Sequence, residues 1–514
     1  MKKGNLKTRH KLSLLFIVIT YFTIIMTAFG CDDDEYEVKI EEQSKDIVVK
    51  TGDVLIESYI GNGVQWDPYP QAYRYWNKPI QDADWNKMYT RLDYMKPSFI
   101  RVVFGSYDKY AISGVDNYEP TAMYEGLGKI LQYCQDNDIT VMLGDWGYNQ
   151  VDSNQDMIFE SRIDNAVNYL DYLVNTQGFT CIKYYTTINE PNLNGSAANG
   201  NYKVWKDATA YFYDKMVDAG LHTKVKLAGP DIAIFNDNDV SWISNTETDL
   251  GDKIDLYDIH TYPSKGALFS GEFEALLDAY KSKMPEGKQA VIGEFGFKYE
   301  TGTSIIDKEL SSENLNNINT DPFIGIDSNT LVDQYIHGVD LVGLNMKIIN
   351  SGFAGAINWN LDDAMHSSST SGQDLKIWGY WNILGEELLG NPEKETIRPH
   401  FYSFSLISRY MQKGSKVYNV EVPELVGLDA IAVEKDGKYM IAINNMSENE
   451  YHLNFSLDNG SELSGLKKFI YKEDNRLTDA NGFPLPEEQN LSIGKGKEIS
   501  IQSQTLTVYT NFDF

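Results

Sequence analysis

Short apolar runs alternate with amphipathic stretches along the chain from about residue 51 to residue 412. Each run is rich in β-branched and aromatic residues and has the length of a buried strand. The segments between the runs, such as EGLGKILQYCQDN and SRIDNAVNYLDYLVNTQ, carry apolar residues at helical spacing. The eight predicted strands are SYIGNGVQW (58–66), SFIRVVF (98–104), ITVMLGDW (139–146), CIKYYTTINE (181–190), VKLAGPD (225–231), LYDIHTYP (256–263), QAVIGEFGF (289–297) and FAGAINWN (353–360).

The order strand, helix, strand predicts a parallel sheet, because parallel neighbours need a long crossover connection. Eight such units fit a (β/α)₈ TIM barrel better than an open doubly wound sheet. No G-x-G-x-x-G motif opens the first helix, which disfavours a dinucleotide-binding sheet. We therefore predict an α/β fold with a barrel over residues 51–412, whose last helix is RPHFYSFSLISRYMQ.

The pattern changes after the barrel. Residues 413–514 alternate polar and apolar positions in short runs such as KVYNVEV, DGKYMIAINNM and KEISIQSQTLTVYT, separated by Gly, Asn and Asp. Such runs are typical of a β-sandwich. We expect a C-terminal β-sandwich domain, which residues 46–57 join if they cross over as a strand.

The first fifty residues carry a targeting pattern. A basic start is followed by the apolar run LSLLFIVITYFTIIMTAF, then by Gly30, Cys31 and DDDE. This resembles a bacterial lipoprotein signal, of the Bacteroidetes surface-export kind, over residues 1–30. The resemblance implies a lipid on Cys31, an acidic tether over 31–50 and an outer-membrane lipoprotein at the cell surface. An uncleaved membrane anchor is the alternative.

The charge of the chain limits its expected partners, and the positions of its cysteines indicate their state. The formal net charge is −29, and removal of the cationic leader makes it more negative. Such a surface repels phosphate backbones, so nucleic acid is not an expected partner. Cys134 and Cys181 lie in apolar elements and are expected to be free, buried thiols, with a disulfide between them as the alternative.

Polar and aromatic residues stand at the ends of the predicted strands, which share one mouth in a barrel. Two carboxylates, Glu190 on strand four and Glu294 on strand seven, are expected to face each other there. Glycoside hydrolysis uses such a pair, one to protonate the leaving oxygen and one to attack the anomeric carbon. The other strand-end residues are Arg101, Trp146, Asn189, His260, Tyr262 and Trp359.

This set resembles the retaining glycoside hydrolases of clan A, which include families 5, 30, 39 and 51. INEPN matches the acid/base motif and implies that Glu190 is the acid/base and that Asn189 binds the sugar 2-hydroxyl. IGEFG matches the nucleophile motif and implies that Glu294 is the nucleophile. The resemblance covers about residues 55–410 and implies hydrolysis of β-glycosidic bonds by double displacement.

The remaining motifs imply supporting roles. IHTYP resembles the His-x-Tyr element, so Tyr262 would donate a hydrogen bond to the nucleophile and His260 would line the site. Arg101 resembles the strand-two arginine that supports the nucleophile, and we expect it to lower the pKa of Glu294. Trp359 resembles the platform beneath the sugar. GDWGYN departs from family 5, because Trp146 stands where many members carry His.

Loop aromatics extend the expected site. Trp378 and Trp381, in KIWGYWN, are predicted to bind substrate at distal subsites, whereas His366 and His400 are predicted to be structural. A core role is the alternative for Trp146 and Trp359, because a tryptophan at a strand end packs in a core as readily as it binds a sugar.

These features predict a glycosidase that cleaves a neutral polysaccharide or oligosaccharide without a cofactor. A non-catalytic glycan-binding lipoprotein that keeps the barrel as a scaffold is the main alternative. A metal-dependent barrel hydrolase is the third hypothesis, but the strand ends offer only His260 as an imidazole ligand, so no metal site is predicted.

Overall fold

The computed structural model describes residues 45–69, 79–105, 124–299, 302–366 and 375–514. All of these belong to one compact unit, Lys45–Phe514. The leader, Cys31 and most of the acidic tether lie outside the described residues, so the lipid anchor stays a prediction. Within the described part of the chain, no helix is long and apolar enough to cross a membrane.

The strands and helices follow the predicted order. The strands are β1 (Asp46–Ile56), β2 (Gly61–Val64), β3 (Phe99–Phe104), β4 (Thr140–Asp145), β5 (Val151–Asp152), β6 (Met157–Ile158), β7 (Ile182–Thr186), β8 (Lys226–Ile234), β9 (Ile254–Thr261), β10 (Gln289–Phe295), β11 (Gly355–Asn358), β12 (Lys416–Glu421), β13 (Leu428–Lys435), β14 (Lys438–Asn445), β15 (Tyr451–Leu457), β16 (Glu462–Tyr471), β17 (Glu488–Gly494), β18 (Lys497–Ile501) and β19 (Thr505–Thr510). The α-helices are α1 (Asp82–Met95), α2 (Tyr124–Asp136), α3 (Glu160–Asp171), α4 (Tyr202–Asp218), α5 (Val240–Leu250), α6 (Lys265–Ser270), α7 (Glu272–Lys281), α8 (Ile305–Thr320), α9 (Tyr335–Asn350), α10 (Gly385–Leu389) and α11 (Pro399–Ser408).

Eight strands form the parallel sheet of the barrel, in the order β2, β11, β10, β9, β8, β7, β4 and β3. The edge strands β2 and β3 meet through backbone hydrogen bonds from Ser98 N to Asn62 O (3.1 Å) and from Trp66 N to Arg101 O (2.9 Å). The sheet is therefore nearly closed, and helices surround it. All eight predicted strands are present, and the (β/α)₈ prediction is confirmed.

The barrel strands are buried on both faces. Every residue of β2, β3, β4 and β11 is buried. Helices cover one face and the opposite strands of the barrel cover the other, which explains why these strands read as continuous apolar runs. Glycine permits the closest approaches. A Cβ on Gly63 would lie 1.7 Å from the backbone oxygen of Phe99, so no larger residue fits where β2 meets β3.

The C-terminal residues form a nine-stranded sheet, in the order β17, β16, β19, β14, β13, β12, β1, β15 and β18. Its central strands bury both faces. In β13, Ile431 and Val433 pack against the barrel core, whereas Ala430 and Ala432 face a second core. That second core also takes side chains from both ends of the sheet, so the sheet folds over onto itself. A β-rich domain after the barrel is therefore confirmed.

The N-terminal strand β1 belongs to this second sheet rather than to the barrel. It pairs antiparallel with β12 and parallel with β15. Its residues Ile47 and Val49 are fully buried in the second core. The chain thus contributes its first described strand to the C-terminal sheet before it builds the barrel, and the two parts are interlocked.

Helix α9 lies between the barrel and the nine-stranded sheet, and nearly all of its residues are buried. The side-chain amide of Asn444, on β14, donates to the backbone oxygen of Val339 (3.0 Å). Gly338 leaves room for Tyr471, whose hydroxyl oxygen a Cβ there would meet at 2.5 Å. Gly343 likewise leaves room for Met446, whose sulfur a Cβ there would meet at 2.3 Å. These contacts fix the second sheet against the barrel wall.

Cys134 and Cys181 are both free and buried, in agreement with the first of the two sequence interpretations. His400 is also buried, and burial lowers the pKa of its imidazole well below the usual range.

Candidate active site

The mouth of the barrel brings the two predicted carboxylates together. Glu190 lies just beyond β7, and Glu294 lies on β10. One carboxylate oxygen of each, together with a ring nitrogen of His260, lies within 4.8 Å of the others. Glu294 is buried, whereas Glu190 is partly exposed. Residues 104 positions apart in the chain therefore share one site, as the barrel closure requires.

The backbone at Glu190 is held from both sides. The backbone N–H of Asn189 donates to Asp145 O (3.1 Å) and that of Glu190 donates to Asp231 O (3.1 Å). Glu190 has φ +46°, in the left-handed region that residues other than glycine seldom adopt. These two bonds to neighbouring strands hold the strained turn, and Pro191 follows without an N–H to extend the ladder.

The guanidinium of Arg101, on β3, is fully buried and donates hydrogen bonds to the side chains of four residues. Its Nη1 donates to Glu294 Oε1 (2.5 Å) and Gln65 Oε1 (2.8 Å). Its Nη2 donates to Asn189 Oδ1 (2.8 Å) and to both oxygens of Asp231 (3.1 and 2.9 Å). Arg101 thus orients Glu294 directly. It also holds Asn189, which precedes Glu190, and Asp231.

The hydroxyl of Tyr262 donates to Glu294 Oε2 (2.7 Å). Burial, and next the nearby Glu294 carboxylate, raise the pKa of Tyr262 well above its usual range, which keeps the hydroxyl protonated as a donor. With Arg101 on Oε1 and Tyr262 on Oε2, both oxygens of Glu294 are held. The structure places these two residues where the sequence predicted.

The pKa of Glu294 departs from the sequence expectation. Burial raises it, and the Glu190 carboxylate adds to that rise, whereas His260 and Arg101 act in the opposite direction. Arg101 does act to lower the pKa of Glu294, as expected, but removal from water outweighs the attraction of the cations, so the net pKa of Glu294 is raised.

His260, on β9, is fully buried between three carboxylates. Its Nε2 lies 3.1 Å from Asp231 Oδ1, and its Nδ1 lies 3.2 Å from Glu190 Oε1 and 3.7 Å from Glu294 Oε2. Burial alone would lower the pKa of His260, but Asp231 and Glu294 outweigh it and raise that pKa well above its usual range.

Tryptophans form part of the wall of a catalytic pocket of about 140 Å³. Trp359 and Trp378 line it with only small exposed fractions, 8% and 6%, and meet edge to face at 5.1 Å. Trp146 also lines the pocket. Burial of a tryptophan face against a sugar is a common recognition mode. The other lining residues are Asn189, Glu190, Leu193, Phe235, Tyr262, Glu294, Lys298, Asp327 and Lys376.

Trp381 does not reach this pocket. Its side chain is 0% exposed, its Nε1 donates to Asp362 Oδ2 (3.1 Å), and the guanidinium of Arg91 lies 4.6 Å from its ring centroid. The prediction that Trp381 binds substrate is therefore wrong, because it belongs to the core beneath the loop that presents Trp378.

His366, which was predicted to be structural, is not among the residues that line the pocket, but its ring contacts two tryptophans that are. It meets Trp359 at 5.5 Å and Trp146 at 6.4 Å between ring centroids. Its Nε2 lies 2.9 Å from Asp67 Oδ2, which anchors the ring. A histidine in a loop gives no sequence signal of this placement.

A larger cavity of about 650 Å³ adjoins the catalytic pocket, with which it shares Phe235 and Tyr262. We call it the Phe235 cavity. Phe235 directly follows β8 and is 49% exposed. The cavity is lined by the ends of β8 and β9, by α6 and α7, and by the start of α8, including Ile234, Pro263, Ala267, Phe273, Leu276 and Asp307. Sequence reasoning missed it, because single loop residues carry no periodicity.

Among the described residues, two clusters in the site have the spacing of cation ligands. They are Glu190, His260 and Glu294, and Asp231, Asp258 and His260. The guanidinium of Arg101 already contacts Glu294 and both oxygens of Asp231. The positive charge that these carboxylates need is thus supplied by the protein itself, and a metal ion would be repelled by that guanidinium.

The comparisons with known proteins agree with this geometry. A family model described as cellulase, glycosyl hydrolase family 5, matches residues 58–321, just over half of the chain. A search of curated proteins gives no significant match to this sequence.

Solved structures share the fold at low sequence identity. A GH30 endoxylanase from Clostridium papyrosolvens C71 has 13% identity and a TM-score of 0.58, over 91% of this chain and 100% of that one. An α-L-arabinofuranosidase from Thermotoga maritima has 13% identity and a TM-score of 0.59 over the same shares. A GH39 enzyme from Xanthomonas axonopodis pv. citri has 11% identity and a TM-score of 0.56, over 93% and 99%.

The barrel with paired carboxylates at its mouth and the family match together define a glycosidase. The chain belongs to glycosyl hydrolase family 5, the cellulase family. The hypothesis of a non-catalytic glycan-binding protein is not favoured by this membership.

Proposed function

We propose that this glycosidase retains anomeric configuration and cleaves a β-glycosidic bond of a neutral polysaccharide or oligosaccharide. The observation that carries the mechanism is the short distance between the two carboxyl groups. One oxygen of Glu190 and one oxygen of Glu294 lie within 4.8 Å of each other. Retaining enzymes hold their carboxyls about 5–5.5 Å apart, whereas inverting enzymes leave about 6.5–9.5 Å for a water molecule.

In the first step, a carboxylate oxygen of Glu294 attacks the anomeric carbon as the bond from that carbon to the leaving oxygen breaks. Glu190 transfers its proton to the leaving oxygen, and a glycosyl ester of Glu294 forms. In the second step, the ionised Glu190 takes a proton from water, whose oxygen attacks the same carbon and releases Glu294. Arg101 and Tyr262 orient Glu294, and Asn189 faces the sugar beside it.

The stereochemistry of the product tests this mechanism. The wild type is first assayed on a panel of aryl β-glycosides and plant β-glycans. Proton NMR of the first product formed from the best substrate is expected to show the β-anomer before mutarotation. Initial release of the α-anomer would exclude double displacement at this carboxyl pair.

The Phe235 cavity supports a leaving group larger than one sugar. Phe235 and Tyr262 line both this cavity and the catalytic pocket, so a substrate that extends beyond the cleaved bond can continue into the cavity. Its volume of about 650 Å³ is typical of a ligand site. We propose that sugars beyond the cleaved bond bind here, with one ring stacked on Phe235.

Replacement of Phe235 by alanine is expected to raise KM for an oligosaccharide with two or more sugars on the leaving side by about tenfold, equivalent to about 1.4 kcal/mol. KM for an aryl monoglycoside should change little, because its leaving group ends at the ring. Phe269→Ala, which removes a similarly exposed phenylalanine from α6 outside the lining of both pockets, is the matched control. Equal effects on both substrates would contradict this placement.

A further inference from the structure

Two further carboxyl groups, Asp231 and Asp258, lie beneath the catalytic pair and are not used by the proposed reaction. Asp231 is on β8, and Asp258 is on β9 two residues before His260. Side chains two positions apart on a strand point to the same face, so Asp258 and His260 both point to the inside of the barrel. Both aspartates are at most 1% exposed.

Asp231 has the partners of an ionised carboxylate. Both of its oxygens accept from Nη2 of Arg101 (3.1 and 2.9 Å), and its Oδ1 lies 3.1 Å from Nε2 of His260. Burial opposes its ionisation, but Arg101 and His260 outweigh burial and lower the pKa of Asp231 to about 2. Because Asp231 is an acceptor here, the proton in its contact with His260 belongs to Nε2.

Asp258 has the surroundings of a neutral acid. Among the described residues, no hydrogen-bond donor reaches either of its oxygens. A Cβ on Gly293 would lie 2.3 Å from Asp258 Oδ1, so the glycine before Glu294 provides the space that this carboxyl fills. A carboxyl oxygen of Asp258 lies within 4.8 Å of Asp231. Burial, and next the charge of Asp231, raise the pKa of Asp258 well above its usual range, which favours the protonated form of Asp258.

The second ring nitrogen of His260 faces acceptors only. Nδ1 lies 3.2 Å from Glu190 Oε1 and 3.7 Å from Glu294 Oε2. The charged and titratable groups around the ring are Arg101 from β3, Glu190 from beyond β7, Asp231 from β8, Asp258 from β9, Tyr262 after β9 and Glu294 from β10. With Asp258 and Tyr262 neutral, and with Glu190 protonated as the acid of the proposed reaction, two cations, Arg101 and His260, balance two anions, Asp231 and Glu294. Buried charges are tolerated when they are compensated in this way.

We propose that Asp231, with the neutral Asp258 beside it, keeps His260 doubly protonated, so that His260 Nδ1–H occupies Oε1 of Glu190. The acid proton of Glu190 is then carried on Oε2, the oxygen that is left to face the leaving group. Asp231 is a positioning residue in this scheme, because it acts on Glu190 through His260. Asp258 is only a neutral neighbour of Asp231, which another neutral side chain of the same shape can replace. The consequence for Glu190 rests on the proposed function, whereas the proton state of His260 does not.

The proton state is tested without turnover. Nitrogen-15 NMR of protein labelled at histidine reports whether each ring nitrogen carries a proton, and the His260 signal is identified by its loss in His260→Gln. At pH 7 we expect both nitrogens of His260 to be protonated in the wild type and in Asp258→Asn. Asp231→Asn should contain a neutral ring, because its anionic partner is gone. An unprotonated nitrogen on His260 in the wild type would overturn the proposal.

The catalytic consequence is tested by comparing two isosteric variants. Asp258→Asn keeps a neutral side chain with an N–H for Asp231, so its kcat/KM should stay close to that of the wild type. Asp231→Asn should lower kcat/KM for a phenyl glycoside by about 100-fold, the range expected for a misplaced acid proton. The loss should be smaller for a 2,4-dinitrophenyl glycoside, whose leaving group needs no proton.

A purely structural role predicts a different result, in which both variants lose activity equally and on both leaving groups alike. That result would overturn the proposal, provided that melting curves show both variants folded. If the wild type cleaves no glycoside in the panel, the proposed function fails, and the NMR measurement still decides the proton state of His260.

Discussion

Glu294→Ala is expected to lower kcat on the best glycoside by about 10⁵-fold, because loss of a nucleophile removes the covalent step itself. Both oxygens of Glu294 are hydrogen-bonded, one to Arg101 and one to Tyr262, so the nucleophile is held in a fixed orientation. The alanine leaves a small hole beside the guanidinium of Arg101. An added anion of the size of azide fits the charge and the space of the missing carboxylate.

Azide distinguishes the two carboxylates. In Glu294→Ala, azide attacks the anomeric carbon from the nucleophile's face, and the expected product is the glycosyl azide of inverted configuration. In Glu190→Ala, the glycosyl ester still forms on Glu294, so azide is expected to give the azide of retained configuration. An activated aryl leaving group is used for both variants. The opposite pairing of products would reverse the two roles, and full activity of either variant would refute the assignment.

Arg101→Gln is expected to lower the free energy of unfolding at pH 7 by about 3–5 kcal/mol, the usual cost when one partner of a buried ion pair is removed. Arg101 is the cation that contacts both Glu294 and Asp231, and all three side chains are buried. Chemical denaturation of variant and wild type measures the loss. Activity should also fall steeply, because Glu294 loses its donor at Oε1.

The stability loss of Arg101→Gln should shrink as the pH falls from 7 toward 4. In the wild type, the pKa of Asp231 is lowered to about 2, so this carboxylate contributes stability above its unfolded pKa, which is lost only as the pH falls toward 2. Without Arg101, the uncompensated carboxylates take up protons at higher pH, which relieves the penalty. Lys265→Gln removes the cation of the buried pair Lys265–Asp340 (2.6 Å), outside the catalytic pocket, and is the control that should lose stability with little effect on the nucleophile. A loss independent of pH would contradict the charge argument.

Membership of family 5 and the shared fold leave the identity of the sugar to the loops. The structure puts two lysines, Lys298 and Lys376, on the pocket wall around Asp327, which pairs with both (3.7 and 2.9 Å). The chain is strongly acidic overall. The glycan panel therefore includes acidic as well as neutral polysaccharides, and cleavage of acidic polysaccharides alone would contradict the neutral substrate that we propose.

The barrel could be predicted from the sequence because parallel strands that are covered on both faces appear as continuous apolar runs. Amphipathic helices separate these runs. Strand β4 is an example: all six of its residues are buried, and it lies within the run predicted over residues 139–146. The two carboxylates were predictable for a related reason. Closure of a barrel brings all strand ends to one mouth, so a residue at the end of a strand is placed by the fold itself.

The sequence could not decide which loop aromatics face the substrate. Trp378 and Trp381 are three residues apart in one loop, yet Trp378 lines the pocket and Trp381 is buried against Arg91 and Asp362. A loop has no periodicity that assigns its side chains to a face. Arg91 and Asp362 are distant from each other in the chain, and only their meeting in the fold selects Trp381 for the core.

Charge states were likewise decided by the tertiary structure. The sequence determined that Arg101 would be near Glu294, but burial outweighs the attraction of the cations and raises the pKa of Glu294. Asp231 and Asp258 look alike in sequence, each an acid within a strand, yet the tertiary structure lowers the pKa of Asp231 and raises that of Asp258. Strand patterns depend on neighbours in the chain. The charge of a buried group depends instead on its removal from water and on partners from other strands, which surround it only once the barrel has closed.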